Sequence, residues 1–542
     1  MPRFRRRFML GLVVFVSASS RMSHAETLAP IGSVRPAFIQ SSEAGDRLRV
    51  RALPQLEAGP GHAPIAITIK PTGTRQTIVG VGGALTEASA AVLARLPRAE
   101  RDAVLDDLFG PTGLDLTMAR THIGSCDFSV EGRYSYDDVP GDTALAAFSL
   151  APDSAGFAGA RDPHYDLLPL LRDALRRQPA LAIVASPWTA PAWMKDNGLF
   201  YDKGHRGGQL LPQHYPTFAR YMRRYVDAYA AAGVPLWAVT PVNEPRGVGG
   251  QWESMEMSPL ELRDYIGRHL GPALAGSGVR ILQYDQNREP VAVDYARAVF
   301  EDSASARVTW GSALHWYSAT NSACGDVLER IRAIAPDKPM VMTEGCIDGI
   351  GTKQNAPEGR FLGWLEDTWW WQERAADWGW YWASPEDKPS HPLYAPVHRY
   401  ARDLIDGLRH GFVGWIDWNL VLDSRGGPNH EHNMCGAPIM IDSTTARIHR
   451  TPIHDVLAHG SRYVRPGDRV LETTIAAPEL APDDLHAVAV SHPGRRDIVL
   501  LVFNKAARAL RYDVRIRGRH WALDIPRNAL QTLVLSPPHE LR

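Results

Sequence analysis

Eight short β-rich runs, separated by longer segments of helical character, occupy the chain from about residue 77 to 420. They are Thr77 to Val81, Leu116 to Arg120, Leu181 to Ala185 and Leu236 to Val242, then Arg280 to Tyr284, Ser312 to His315, Pro339 to Thr343 and Phe412 to Trp418. Helices such as Tyr215 to Ala232 and Pro259 to Ala275 fit between them. This alternation is the pattern of βα units around a parallel sheet. Eight strands are the number that closes a (β/α)8 TIM barrel. A doubly wound open sheet also alternates, but it is expected to carry a Gly-rich phosphate turn after an early strand. Gly80-Val81-Gly82-Gly83 lacks the final glycine and the helix-entry spacing, so these glycines read as a tight strand exit.

After residue 440 the texture changes. His486 to Ser491, Asp497 to Phe503, Leu510 to Ile516 and Leu530 to Leu535 read as strands with turn signals between them, and no helix is obvious. This is the texture of a β-sandwich. Residues 30 to 75 have similar short-strand character, as in Ile65 to Ile69, and are expected to supply strands to the same sandwich. The expected organisation is therefore N-terminal sandwich strands over 26–75, a barrel over 76–435 and an attached β-sandwich over 436–542.

The first 25 residues stand outside this plan. Arg3, Arg5, Arg6 and Arg7 precede the apolar run Phe8 to Val16, and Ser23-His24-Ala25 follows it. A basic start, an apolar stretch too short to span a bilayer and a small-residue cleavage site are expected of a secretory signal. Arg5-Arg6-Arg7-Phe8-Met9 also fits the twin-arginine export pattern, and an ordinary Arg-rich signal accounts for it equally well. The mature chain is expected to begin near Glu26, exported to a periplasm or secreted. No later stretch reaches the ~18 apolar residues of a membrane helix, so no integral membrane segment is expected after signal removal.

Composition narrows the function. Hydrophobic residues make up 44% and charged residues 22%, ordinary globular usage that excludes wholesale disorder. Lys plus Arg total 59 against 60 for Asp plus Glu, without the basic excess expected of a nucleic-acid protein. The 16 Trp are unusual, because such rings often line pockets for flat or carbohydrate ligands. The 4 Cys are too few for a disulfide framework in so long a chain, and no pair has metal-ligand spacing.

In barrels of this kind the chemistry sits at the C-terminal strand ends. Thr86-Glu87 follows the first run, Ser125-Cys126-Asp127 the second and Ser186-Pro187-Trp188 the third, while the fourth leads into Asn243-Glu244-Pro245. Trp316-Tyr317 follows the sixth, Glu344 the seventh, and the eighth ends on Trp418 with Asn419 after it. Two carboxylates among aromatic rings at one mouth suit cleavage of a glycosidic bond. An acid protonates the leaving oxygen while a second carboxylate attacks or stabilises the anomeric carbon, and neither step uses a metal or another cofactor. Each residue also has a plainer reading. A lone Glu after a strand serves as a helix N-terminal charge, Asn243 and Pro245 as turn residues, and Trp188, Trp316 or Trp418 as core. His430-Glu431-His432 suggests a metal but lacks a third ligand in sequence, and reads as a loop. Cys126 and Cys346 read as buried thiols, because no His is placed to activate them. The plainer readings weaken only when the positions are taken jointly.

Taken jointly, the chain resembles glycoside hydrolase family 30, and within it the glucosylceramidase-like branch. The resemblance rests on residues 80–88, on Arg120 to Ser129 and on Ser186 to Lys195, followed by Asn243-Glu244-Pro245, His315-Trp316-Tyr317 and Thr343-Glu344-Gly345-Cys346. Trp415 to Leu420 and Gly426-Gly427-Pro428-Asn429 complete it, in family order and over nearly the whole mature chain. It implies a retaining, exo-acting β-glycosidase with Glu244 as acid/base and Glu344 as nucleophile. Asn243 would contact the sugar 2-hydroxyl, and Glu87, Trp188, Trp418 and Asn433 would hold the sugar in the non-reducing-end subsite. His315 belongs to the same substrate-binding set, with Trp316 and Tyr317 flanking the nucleophile. Glu87 stands where lysosomal-type enzymes usually carry Asp, one methylene shorter. The implied substrate is a β-glucoside, as a glycolipid or an oligosaccharide. A β-1,6-glucanase, β-xylosidase or β-fucosidase on the same frame is the alternative. An inactive carbohydrate-binding barrel would be expected to lack one carboxylate, and both are present.

Overall fold

A closed ring of eight parallel strands forms the centre of the protein, as the alternating runs predict. The computed structural model describes residues 37–201, 207–247, 252–347, 364–375, 385–386 and 388–536; the expected signal lies outside them. The barrel strands are β1 (Gly80–Ala84), β2 (Met118–Ile123), β3 (Ala182–Pro187) and β4 (Ala238–Val239), then β5 (Arg280–Asn287), β6 (Thr309–His315), β7 (Met340–Glu344) and β8 (Phe412–Asp417). Each pairs in parallel with the next, and β8 closes on β1 with Trp415 opposite Val81. The strands are buried almost throughout, which follows when helices cover a parallel sheet outside and side chains pack it inside. Met118, Val184, Leu282, Val341 and Ile416 fill the interior.

Two strands differ from the expectation. Thr77 ends a long sandwich strand, Ile65–Thr77, and β1 begins only at Gly80. The glycines therefore lie within β1 rather than at its exit. A Cβ on Gly82 would stand 1.8 Å from the Met118 carbonyl oxygen, so the close approach of β1 to β2 requires glycine there. The fourth run shortens to β4, although backbone bonds from Thr240 to Ala185 and from Asn243 to Pro187 carry the segment on towards the mouth.

The helix Tyr215–Ala231 buries Phe218, Met222, Tyr225 and Tyr229 along one stripe against the barrel. Pro259 to Ala275 is helical but not uniform. A capping box of Ser258 and Glu261 starts an α-helix over Pro259–Tyr265, a π-turn covers Ile266–Leu270, and Gly271–Leu274 returns to α.

Both ends of the described chain build a second, curled and largely antiparallel sheet of ten strands, giving a barrel with an attached sandwich-like domain. Ala37–Ser42 pairs with Ala529–Leu535, and Ile65–Thr77 lies between Arg469–Ala476 and Leu510–Ile516. A separate core of Ile67, Leu500, Val514, Leu523 and Leu533 holds it. The strand Arg519–Ile525 joins those read from the sequence. The absence of a helix after residue 440 is corrected: Pro452–Ser461 is an α-helix. It is buried on every side, its polar His454, Asp455 and His459 included. Its Ser461 hydroxyl donates to the Leu114 carbonyl on the barrel side, while His459 bonds Ser41 and Thr532 of the sandwich. Among the described residues no helix is long and apolar enough to cross a membrane.

Candidate active site

At the mouth of the barrel, charged groups from five strands meet without water-exposed charge to spare. Asp285, on β5, is completely buried, and five donors converge on it. Its Oδ2 accepts from Arg120 at 2.9 Å, Ser186 at 2.7 Å and Thr240 at 2.8 Å, and its Oδ1 from His315 at 3.1 Å and Thr343 at 2.7 Å. Burial works against its charge, but Arg120 and then His315 hold its carboxyl far below the usual carboxylate range. A buried charge this well satisfied acts as an anchor for the groups around it.

Two of those groups carry the anchor to the candidate carboxylates. Arg120, wholly buried in the middle of β2, donates to Glu344 Oε2, to Asn243 Oδ1 at 2.7 Å and to Asp285. His315, at the end of β6, places Nδ1 3.3 Å from Glu244 Oε1 and 3.8 Å from Glu344 Oε1. One oxygen of each Glu and one His315 nitrogen lie within 4.8 Å of one another. Burial raises the Glu244 carboxyl above its ordinary range, and the Glu344 charge adds to this, against the lowering effect of the His315 bond. Burial alone would lower the His315 imidazole; the Glu344 charge, with the bonds to Asp285 and Glu244, outweighs it and sets a pKa of about 9. Two cationic side chains, Arg120 and His315, thus stand among three carboxyl groups, Asp285, Glu244 and Glu344. Two carboxyl groups facing each other across the mouth, with a buried imidazole between them, suit acid-assisted cleavage of a glycosidic bond.

The rings sort into two kinds. Trp188 and Trp418 stack with centroids 5.3 Å apart, and the Arg120 guanidinium lies 4.9 and 5.4 Å from the two rings. The Trp418 amide donates to the Gly345 carbonyl, fastening this pair to the exit of β7. Trp316 behaves differently. Its amide donates to the Glu344 carbonyl at 3.2 Å, but its indole is packed edge-on to Tyr400 and under Arg399, so it supports the wall from behind. A Cβ on Gly345 would stand 2.4 Å from that indole, so only glycine follows Glu344 without displacing Trp316. Tyr317 donates its amide to Asn287 Oδ1, and its hydroxyl lies 3.4 Å from the Cys346 sulfur.

The remaining candidates belong to the loops. Asn433 donates through Nδ2 to Asp127 Oδ2 at 3.0 Å, and His430 of the same loop bonds the Ser129 carbonyl, so the 426–435 loop lies on the one after β2. Glu87 stands apart from the carboxylate cluster: its Oε2 accepts from the Val130 amide at 2.8 Å, and burial raises its pKa to about 8. Sequence reasoning gives no role to Arg120, Asp127 or Asp285. A charged residue within the apolar run Leu116 to Arg120 is a signal for the first, since an Arg on a buried strand needs ionic partners.

Two groupings of the described residues have donor atoms close enough for a cation: Glu244, His315 and Glu344, and Glu253, His430 and Glu431. The fold supplies the third group that His430-Glu431-His432 lacks in sequence, and it is Glu253 rather than His432 that joins. Neither donor set suits a metal. His315 is protonated and spends both nitrogens on carboxylates, and Arg120 occupies Glu344. In the second group the Arg133 guanidinium already lies against Glu431 and Glu253.

Fold and site together define a glycoside hydrolase. The glycosyl hydrolase family 30 TIM-barrel domain matches residues 78–362 and 389–464, and the chain belongs to that family. It is 29% identical to lysosomal acid glucosylceramidase of Mus musculus over 469 residues, covering 85% of this chain and 82% of that one. It is 27% identical to endo-1,6-β-D-glucanase of Neurospora crassa over 479 residues, covering 87% and 88%. The crystal structure of SrfJ from Salmonella typhimurium superposes with a TM-score of 0.77 at 27% identity, covering 93% of this chain and all of that one.

Proposed function

We propose that the enzyme is a retaining, exo-acting β-glucosidase of the glucosylceramidase type, with Glu344 as nucleophile and Glu244 as acid/base. The observation that carries this is the approach of one oxygen each of Glu244 and Glu344 to within 4.8 Å, which is compatible with the ~5–5.5 Å between the carboxyl groups of a retaining pair. Glu344 attacks the anomeric carbon as Glu244 gives its proton to the departing glycosidic oxygen. The glycosyl ester on Glu344 is then hydrolysed by a water whose proton returns to Glu244. Asn243 spends its Oδ1 on Arg120, which leaves its NH2 for the sugar 2-hydroxyl. Trp188 and Trp418, with Asn433 and Glu87 at the loop side, hold the non-reducing-end sugar, while Trp316 and Tyr317 set the wall beside Glu344.

The likeness to mouse glucosylceramidase supports a glucosyl lipid as substrate. The comparable likeness to the Neurospora endo-1,6-β-D-glucanase, 27% against 29%, favours a second reading, a β-1,6-glucan on the same frame. Hydrolysis of aryl β-glycosides, glucosylceramide and β-1,6-glucan, compared by kcat/KM, separates them. Preference for glucosylceramide and aryl β-glucoside upholds the first reading; preference for the polymer replaces it with the second. Export is part of the same proposal and rests on the basic and apolar start of the chain. An N-terminus near Glu26 on the native protein supports it, and an intact Met1 on a cytosolic protein overturns it.

A further inference from the structure

Two of the four cysteines meet beside the active site. Cys346 lies two residues beyond Glu344, and Cys435 lies two residues beyond Asn433. Their sulfurs are 3.1 Å apart, both buried, although 89 positions separate them in sequence. The backbone holds them in place. The next residue of each segment joins its counterpart, Gly436 N–H donating to the Ile347 carbonyl at 2.9 Å, and Cys435 N–H donates to the Gly426 carbonyl at 3.0 Å. With the sulfurs 3.1 Å apart, a shift of about 1 Å brings them to the ~2.03–2.05 Å of an S–S bond.

We infer that Cys346 and Cys435 form an oxidisable pair, which closes to a disulfide linking the exit of β7 to the loop that carries Asn433. The step is a thiol–disulfide exchange with a disulfide-bearing oxidant. Each cysteine thiol gives up one hydrogen, one S–S bond forms in the protein, and one oxidant disulfide is reduced to two thiols. Closure adds a covalent tie between the Asn433 loop, held so far by hydrogen bonds to Asp127, Ser129 and Ile347, and the strand that carries Glu344. Cys126 and Cys324 have no such place in the pair. Cys126 is buried behind Asp127, where burial pushes its thiol well up and away from thiolate reactivity.

The full-length protein is incubated with oxidised glutathione, both in its native state and while refolding from urea, then denatured, alkylated, digested and analysed by mass spectrometry. The expected result, under either regime, is a cross-linked peptide pair containing Cys346 and Cys435. Two of four thiols escape alkylation and the intact mass falls by two hydrogens. In Cys435→Ala no cross-link forms and all three remaining thiols alkylate. Closure of a loop this long also raises the unfolding midpoint, by ~5 °C in the oxidised over the reduced protein. Alkylation of all four thiols under both regimes, a stable mixed disulfide with glutathione at either position, or a cross-link to Cys126 or Cys324 overturns the inference.

Discussion

The backbone N–H of Glu244 donates to the carbonyl oxygen of Asp285, 3.0 Å away, and both residues hold left-handed backbone, with φ of 52° and 68°. Neither is glycine, and such conformations cost of order 1–3 kcal/mol each unless the surroundings impose them. Here the surroundings do so, because Tyr284 also has positive φ and the register between β5 and β6 shifts between Ala313 and Leu314. The strain turns the Asp285 carboxylate inward under Arg120 and His315, and it aims Glu244 across the mouth at Glu344.

Asp285→Asn tests that anchor. The amide removes the charge that balances Arg120 and His315 and turns an NH2 towards groups that are themselves donors. Breaking a buried ion pair from one side costs about 3–5 kcal/mol, so the urea midpoint should fall clearly. The His315 pKa should drop from about 9, because the bond to Asp285 helps to raise it, and the titration profile of its imidazole, followed by NMR, should move to lower pH. Unchanged stability and an unchanged profile would remove Asp285 from its central position.

Glu244→Gln should separate substrates by leaving group. General acid catalysis supplies roughly 10²–10⁴-fold, and an activated aryl glycoside does without it. Natural glycosides should therefore slow by orders of magnitude, and a dinitrophenyl β-glucoside far less in its first step. Equal slowing of both kinds would show that Glu244 is not the acid. In the wild-type enzyme, burial holds Glu244 protonated above its ordinary range, so loss of its proton should form the basic limb of a bell-shaped kcat/KM profile.

Stability should fall as pH rises through neutrality. Buried Glu87 and Asp153 have pKa values raised by burial to about 8 and about 7, against 4.5 and 3.8 for the ordinary groups. Asp153 accepts from the hydroxyls of Tyr134, Tyr136 and Tyr229, which does not fully offset its burial. Between the unfolded and folded values the native state binds more protons. Stability therefore declines with rising pH, by up to ~1.4 kcal/mol per pH unit for each group. His315, raised from 6.5 to about 9, adds the same sign: its contribution is complete below 6.5 and is lost as pH climbs through 9. Urea unfolding at pH 5 and pH 8 should show the lower midpoint at pH 8, and Asp153→Asn should flatten the difference. A midpoint that rises over this interval contradicts the assignment.

How much of this the sequence reveals depends on what kind of residue is asked for. Residues near strand ends that are proposed to act on a ligand, such as Asn243, Glu244, Glu344 and Trp418, stand beside recognisable β runs, and a closed barrel brings all those ends together. Residues that act through other residues are hidden. Asp285 follows a strand as visibly as Glu344 does, yet its role exists only because Arg120, His315, Ser186, Thr240 and Thr343 arrive from other strands. The Gly80-to-Gly83 run looks like a turn because its requirement, the Met118 carbonyl against Gly82, lies on another strand. The helix Pro452–Ser461 escapes although Ile453, Val456 and Leu457 keep a helical spacing; it is one short helix amid strands, and its polar His454, Asp455 and His459 find their partners on other elements.

The last prediction concerns Glu344, on which the mechanism turns. β7 ends on this residue, Arg120 holds its Oε2, and its Oε1 lies 3.8 Å from His315 Nδ1 and faces Glu244. In the proposed retaining reaction this carboxylate itself attacks the anomeric carbon. A covalent glycosyl ester should form on Glu344, and its hydrolysis should release sugar with the anomeric configuration retained. Proton NMR of the first-formed product from an aryl β-glucoside should show the β-anomer. A 2-fluoro glucoside with a good leaving group should trap the ester, because the fluorine slows its hydrolysis, and digestion should place the label on the peptide containing Glu344. Glu344→Ala should abolish turnover of activated and natural substrates alike, because no leaving group compensates for a missing nucleophile. The same variant should regain activity with azide on an activated substrate and give the α-glycosyl azide, since the small anion enters the space the side chain leaves and attacks from the same face. An α-anomeric first product, a label on another peptide, or a normal rate in Glu344→Ala would each return Glu344 to the status of a charge at the end of a strand.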